Sequence, residues 1–158
     1  MVFFFAIGGL LLGCKESPKA QQEDRQAVEV TEGTAVEAHH GGDTEASWLE
    51  AISLDQGAKW AANAETTSGV AQMTFLIANT KAESAGDYRN LGDGLNEIKN
   101  YIVKECTMTG ASHDNLHVWL YPLIEKVGEL QKVETVESGR TLTDDIKGHL
   151  DKYYEYFI

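Results

Sequence analysis

From Trp48 onward, apolar residues recur at three- and four-residue steps, strand-like alternation is absent, and Pro122 is the one proline. That period calls for amphipathic helices. The first predicted helix runs from about Gly57 to Thr80, on a stripe of Trp60, Asn63, Thr67, Val70, Met73 or Thr74, and Ile77. The second runs from about Tyr88 to Thr107, on Leu91, Leu95, Ile98, Ile102 and then Cys106, with Gly110 as a C-cap glycine. The third starts near Ser112, a good N-cap, and carries His113, Leu116 and His117, Leu120, Leu123 and Ile124, Val127 and Leu130. Pro122 in its interior removes a helix hydrogen bond, so a kink is expected. The fourth starts near Thr141, with Asp144 as a helix-start acid and Leu142, Ile146, His149 or Leu150, Tyr153 and Phe157 on its stripe. Connections are mostly short, with a longer polar loop before the last helix. The expectation is an all-α fold over residues 47–158, an antiparallel up-down-up-down four-helix bundle.

The N-terminal third reads differently. Val2 to Leu12 is almost wholly apolar. A run of about a dozen residues is too short to span a bilayer and suits the h-region of a signal peptide. No Lys or Arg precedes it, where a signal peptide carries its positive n-region. The run ends at Leu11-Leu12-Gly13-Cys14, which resembles a bacterial lipobox. The resemblance implies that residues 1–13 are a signal peptide cleaved before Cys14, and that Cys14 is lipidated. Acyl chains such as palmitate would then anchor the chain to a membrane without spanning it. The resemblance thus implies a lipoprotein of the bacterial cell envelope, facing the periplasm or the exterior. Lys15 to about Ala46 carries no Phe, Trp or Tyr and cannot bury enough apolar area to offset chain entropy. Residues 14–46 are therefore expected to be a disordered acidic tether, reaching roughly 30 Å root-mean-square. His39-His40 falls inside it and reads as part of that segment.

Charge and cysteine usage narrow the partners. The net charge is −12, from 13 basic and 25 acidic residues. Such a surface repels nucleic acid and anionic lipid. The expected partners are the membrane, through the lipid anchor, and another envelope protein. Export permits disulfides. With Cys14 acylated, Cys106 has no intramolecular partner, and is then buried and inert, a ligand, or reactive.

Cys106, Met108, His113 and His117 fall within twelve residues, and they are soft and borderline metal ligands. His113 and His117 share a helical face about 40° apart, the i, i+4 spacing of many chelating pairs. Antiparallel packing would bring Cys106 from the second helix toward them. It would also set the polar half of the first helix opposite, where Asn63 and Thr67 stand at positions that ordinarily hold leucine. Two imidazoles and a thiolate, with Met108 as a weak fourth ligand, suit copper; with an oxygen they also suit zinc. Asn63, Thr67 and Tyr153 would orient the imidazoles from behind. The same layer also fits a structural polar cap hydrogen-bonded to Asn63, Thr67 or Tyr153. It fits as well a haem b site, with Ala61, Ala64, Gly69 and Ala71 making room for the porphyrin.

Other chemistries are less well served. There is no Cys-x-x-Cys-His for covalent haem, and no Gly-rich phosphate loop. The one Glu-x-x-His spacing, Glu37 to His40, is in the tether, so a carboxylate di-iron site is not expected. No nucleophile turn or oxyanion device is legible, and no enzymatic activity is expected. Asn63-Ala64-Glu65-Thr66-Thr67, Cys106-Thr107-Met108 and His113-Asp114-Asn115-Leu116-His117 together resemble small helical bacterial lipoproteins over roughly Leu54 to Phe157. That likeness carries no activity with it. The expected role is sequestration, sensing or delivery of a soft metal at one bundle end, and the competing one is a non-enzymatic interaction module.

Overall fold

The computed structural model describes the backbone from Gly42 to Ile158 and the side chains from Ser47. The expected signal peptide, Cys14, His39-His40 and all but the last residues of the expected tether lie outside the described residues. Among the described residues the fold is all-helical, with isolated bridges in place of strands. Five helices follow in order: α1 Gly42–Ala51, α2 Ala64–Asn79, α3 Ala85–Glu105, α4 Gly110–Leu130 and α5 Val136–Tyr156. None of them is long and apolar enough to cross a membrane.

Helix α1 is an addition to the predicted set, and it opens inside the stretch read as tether. Its Trp48 and Ile52, just past its end, are buried in the core, and it packs on α4. The segment between α1 and α2 corrects the predicted start of the first helix. Gln56 and Gly57 have φ of 52° and 93°, both left-handed. Asp55 and Ala58 exchange both backbone hydrogen bonds around them at 2.9 Å, as in a two-residue hairpin turn. Trp60 is therefore not helical. Its N–H donates to the Tyr156 carbonyl at 2.8 Å, and its own carbonyl accepts from Ile158 N–H at 3.0 Å. Pairing of residues 60–62 with the last residues of the chain delays α2 to Ala64 and ends α5 at Tyr156.

Three further boundaries differ from expectation. Helix α3 begins three residues early because Ser84 and Asp87 form a capping box: Asp87 N–H donates to the Ser84 hydroxyl at 3.1 Å and Ser84 N–H to the Asp87 carboxylate at 2.8 Å. The Ser84 hydroxyl and the Glu83 and Ser84 backbone N–H groups hold the Asp87 carboxyl below the usual carboxylate range. Gly110, with φ of 65°, opens α4 rather than closing the helix before it, so Thr109 and not Ser112 occupies the N-cap. Helix α4 runs through Pro122 as one element. Helix α5 starts at Val136, capped by Thr135, whose hydroxyl accepts from Ser138 N–H at 3.1 Å; the preceding connection is short.

The core is built from the expected stripes. Val70 and Met73 of α2, Leu91, Leu95 and Ile102 of α3, Leu116, Leu120 and Leu123 of α4, and Ile146, Leu150 and Tyr153 of α5 are all buried. Close approaches set the spacing. A methyl group added at Gly139 would lie 2.4 Å from the Tyr88 ring, and one at Gly69 would lie 2.3 Å from Ile102 Cγ1. Gly148, on the same helix as Gly139, has nothing within 4 Å of an added methyl. Gly139→Ala should therefore destabilise the fold by about 1–3 kcal/mol through overpacking. Gly148→Ala should stabilise it by about 0.5–1 kcal/mol through helix propensity. Urea-unfolding midpoints of the two variants should move in opposite directions.

Candidate functional site

The N-terminal turns of α4 present a ladder of three rings. His113, His117 and Tyr121 stand at i, i+4 and i+8, on the edge of the stripe whose centre is Leu116, Leu120 and Leu123. The imidazole centroids are 4.2 Å apart, and the His117 ring lies 5.1 Å from Tyr121. The Tyr121 hydroxyl is 3.2 Å from His117 Nδ1. Both histidines are half-buried, and Tyr121 is 57% exposed. When Nδ1 carries the ring proton it donates to the phenolic oxygen, and Nε2 presents a lone pair outward. A metal ion can take either nitrogen of a neutral imidazole, and a partner on the other nitrogen is the usual way a ligating ring is oriented.

The thiol and the thioether both lie against the core. Cys106 caps the end of α3 as a free, half-buried thiol packed against the core. It is near enough to Tyr153 for its negative form to raise the tyrosine pKa. Met108 is half-buried and also packed against the core. Among the described residues, no three of His, Cys, Asp and Glu are grouped so as to hold a metal ion. The expected convergence of Cys106 on the two imidazoles is therefore not assembled. The physical reason lies in the stripes. Cys106 follows Ile102 by four residues and continues the buried face of α3, whereas the histidines sit at the edge of the buried face of α4.

The polar half of α2 satisfies itself. Asn63 Nδ2 donates to the Glu65 carboxylate at 2.8 Å and to the Glu105 carbonyl at 3.0 Å, and Asn63 Oδ1 accepts from the Thr66 hydroxyl at 2.6 Å. One side chain thus caps the end of α3 and leaves the fully buried Thr66 with a partner. The Asn63 amide also holds the Glu65 carboxyl below the ordinary carboxylate range. Thr67 and Tyr153 share a hydrogen bond of 2.9 Å. Neither Asn63, Thr67 nor Tyr153 hydrogen-bonds an imidazole; Tyr121 is the group that orients His117. The tyrosine was legible as the next residue on the histidine stripe.

A third histidine carries a different role. His149 of α5 is fully buried, with Nε2 2.7 Å from the Trp119 carbonyl, while Trp119 Nε1 donates to the His149 carbonyl at 3.2 Å. A carbonyl only accepts, so Nε2 carries a proton. Trp48 of α1 covers this imidazole at a centroid distance of 4.6 Å. The sequence signal was its place beside Leu150 on the apolar stripe. Of the small residues expected to make room for haem, Gly69 is packed closely against Ile102, and Ala61, Ala64 and Ala71 are exposed. At the other end of α4, a surface cavity of about 490 Å³ is lined by Val133 and Leu142 and rimmed by Glu129, Glu137 and Asp145. No family model, no curated protein and no solved structure matches the chain.

Burial pushes the Tyr153 phenol up to about 12, against the smaller opposing effect of the Thr67 hydroxyl. An unfolded tyrosine titrates near 10. Above that pH the unfolded chain has released a proton that the folded chain keeps. The contribution is therefore complete below about pH 10 and is lost as pH rises through about 12. Tyr153→Phe should flatten this alkaline limb of the stability profile relative to the parent chain. It should cost about 1 kcal/mol at neutral pH through the lost Thr67 hydrogen bond. Denaturant unfolding from pH 7 to 11.5 checks both.

Proposed function

We propose that this chain is an exported, lipid-anchored, non-catalytic metal-binding protein, with His113 and His117 as a two-nitrogen chelate on an antiparallel up-down-up-down bundle of α2 to α5. The observation that carries the reading is the imidazole pair at 4.2 Å, with Nδ1 of His117 engaged by Tyr121. Two preset nitrogens on one rigid helix give up little conformational freedom on taking an ion. The lipobox-like Leu11-Leu12-Gly13-Cys14 supports anchoring at Cys14. The topology is supported by neighbouring helices that meet start to end: Gly69 with Ile102, Gly92 with Leu130, and Thr67 with Tyr153. Tyr88 and Gly139, near the starts of α3 and α5, meet across the diagonal.

On this reading the donors are imidazole alone. These suit Cu(II) and Zn(II), and Cu(II) binds first-row sites most tightly. A pair with open coordination positions exchanges its ion, which fits sequestration, sensing or delivery better than a closed structural site. A second reading is a module that docks a basic segment of another envelope protein. The acid-rimmed cavity between Glu129 and Asp145 favours it.

Copper(II) titration of the purified chain tests the first reading. His113→Ala or His117→Ala should weaken binding by about 10–100-fold or more, and Tyr121→Phe by a smaller factor at the lower end of that range. Cys106→Ala should bind as the parent does. Unchanged affinity in the His113→Ala, His117→Ala double variant would overturn the proposal.

A further inference from the structure

We infer that the His113–His117 chelate is half of a site, completed by the same two residues of a second copy of this chain, so that one divalent ion joins two α4 helices. The inference rests on the reading that the pair binds metal. Zinc takes four ligands in tetrahedral sites, and Cu(II) favours four in a plane. The described residues supply two. No third His, Cys, Asp or Glu joins them among the described residues. Asp114 lies a helical step away from the histidine face and is exposed. Tyr121, the other neighbour, is committed to His117 Nδ1.

What fills the open half is not among the described residues of the same chain, and symmetry supplies a complete answer. A two-fold axis through the ion brings an identical pair from the partner, giving four imidazole nitrogens from one self-complementary patch. The surface suits that approach. The pair is half-buried on a single helix rather than sunk in a cleft, and the ring of Tyr121, 57% exposed, lies beside it to contact the second chain. The net charge of −12 opposes association of two copies without the ion. A bound divalent cation reduces that repulsion where the chains meet. Pairing is then conditional on metal, and the bundle reports metal as a change in assembly.

Zinc(II) is the first probe, because it undergoes no redox reaction with thiols. The full chain carrying His39→Ala and His40→Ala, which silences the other histidine pair, is measured by analytical ultracentrifugation. Half an equivalent of zinc should double the mass, and chelator should return it to that of one chain. Adding His113→Ala and His117→Ala should leave one-chain mass at every zinc level. With copper(II) as the second probe, electron paramagnetic resonance should count four equatorial nitrogens at half an equivalent. Histidine-dependent binding at one ion per chain, with one-chain mass and two nitrogens, would overturn the shared site and leave the chelate standing. Absence of histidine-dependent binding would overturn both.

Discussion

The pairing of Trp119 with His149 fixes how α4 lies on α5, and the position of every α4 side chain follows from it. Each ring hydrogen-bonds the other residue's backbone carbonyl, at 3.2 Å and 2.7 Å, in the buried interior. Apolar packing tolerates a slide of one helix along another at modest cost. A reciprocal pair of buried hydrogen bonds does not, because slipping leaves desolvated polar groups behind at about 1–3 kcal/mol each. With α4 held this way, Leu116, Leu120 and Leu123 point into the core. His113, His117 and Tyr121 are left on the neighbouring edge, and Trp48 of α1 closes over the buried imidazole from outside.

The opposite wall of the bundle has a comparable device at its end. Asn63 ties the start of α2 to the last carbonyl of α3, and Thr67 ties α2 to Tyr153 of α5. Residues 60–62 then lie along the end of the chain. Three elements are thus joined at one end by polar groups that all have partners. This is why a run that places Asn63, Thr66 and Thr67 on a helix face can be accommodated without a large penalty. The polarity that looked like a wall for the histidines is a set of joints among α2, α3 and α5.

Much of the fold was legible from periodicity, and the exceptions have local causes. The apolar stripes of α3, α4 and α5 lie where the three- and four-residue steps put them, since burial of a continuous face overrides most other preferences. The predicted helix start at Gly57 failed because a stripe extends smoothly through Trp60, while the backbone there turns at Gln56-Gly57 and pairs with residues more than ninety positions away. Long-range pairing of that kind leaves no periodic trace. The early start of α5 was hidden by Ser138-Gly139, which read as loop; the glycine is there because Tyr88 leaves no room for a side chain. For the site, the histidine pair and its spacing were legible. Antiparallel packing was expected to carry Cys106 to the imidazoles; among the described residues the three are not grouped, and Cys106 follows the stripe of α3 against the core.

The three described histidines show that angular position on a helix, and not residue type, decides what an imidazole can do. At the centre of the α5 stripe, His149 is fully buried, its Nε2 proton committed to a carbonyl and its faces covered by Trp48 and Trp119. It orders the core and offers nothing to solution. At the edge of the α4 stripe, His113 and His117 are buried enough for neighbouring rings to limit their rotation and exposed enough for an incoming ion to reach them. A histidine fully in solvent would be reachable but would lose more rotamer freedom on binding. Only the edge combines orientation with access. An edge site on a single helix also has an intrinsic limit: the helix curves away on both sides, and a third ligand four residues further along meets the ion at a poor angle. Tyr121 occupies that third position here, and its hydroxyl is turned to the imidazole Nδ1 rather than toward a shared ion. A one-helix ladder of this form presents two imidazoles, with no third His, Cys, Asp or Glu grouped beside them among the described residues.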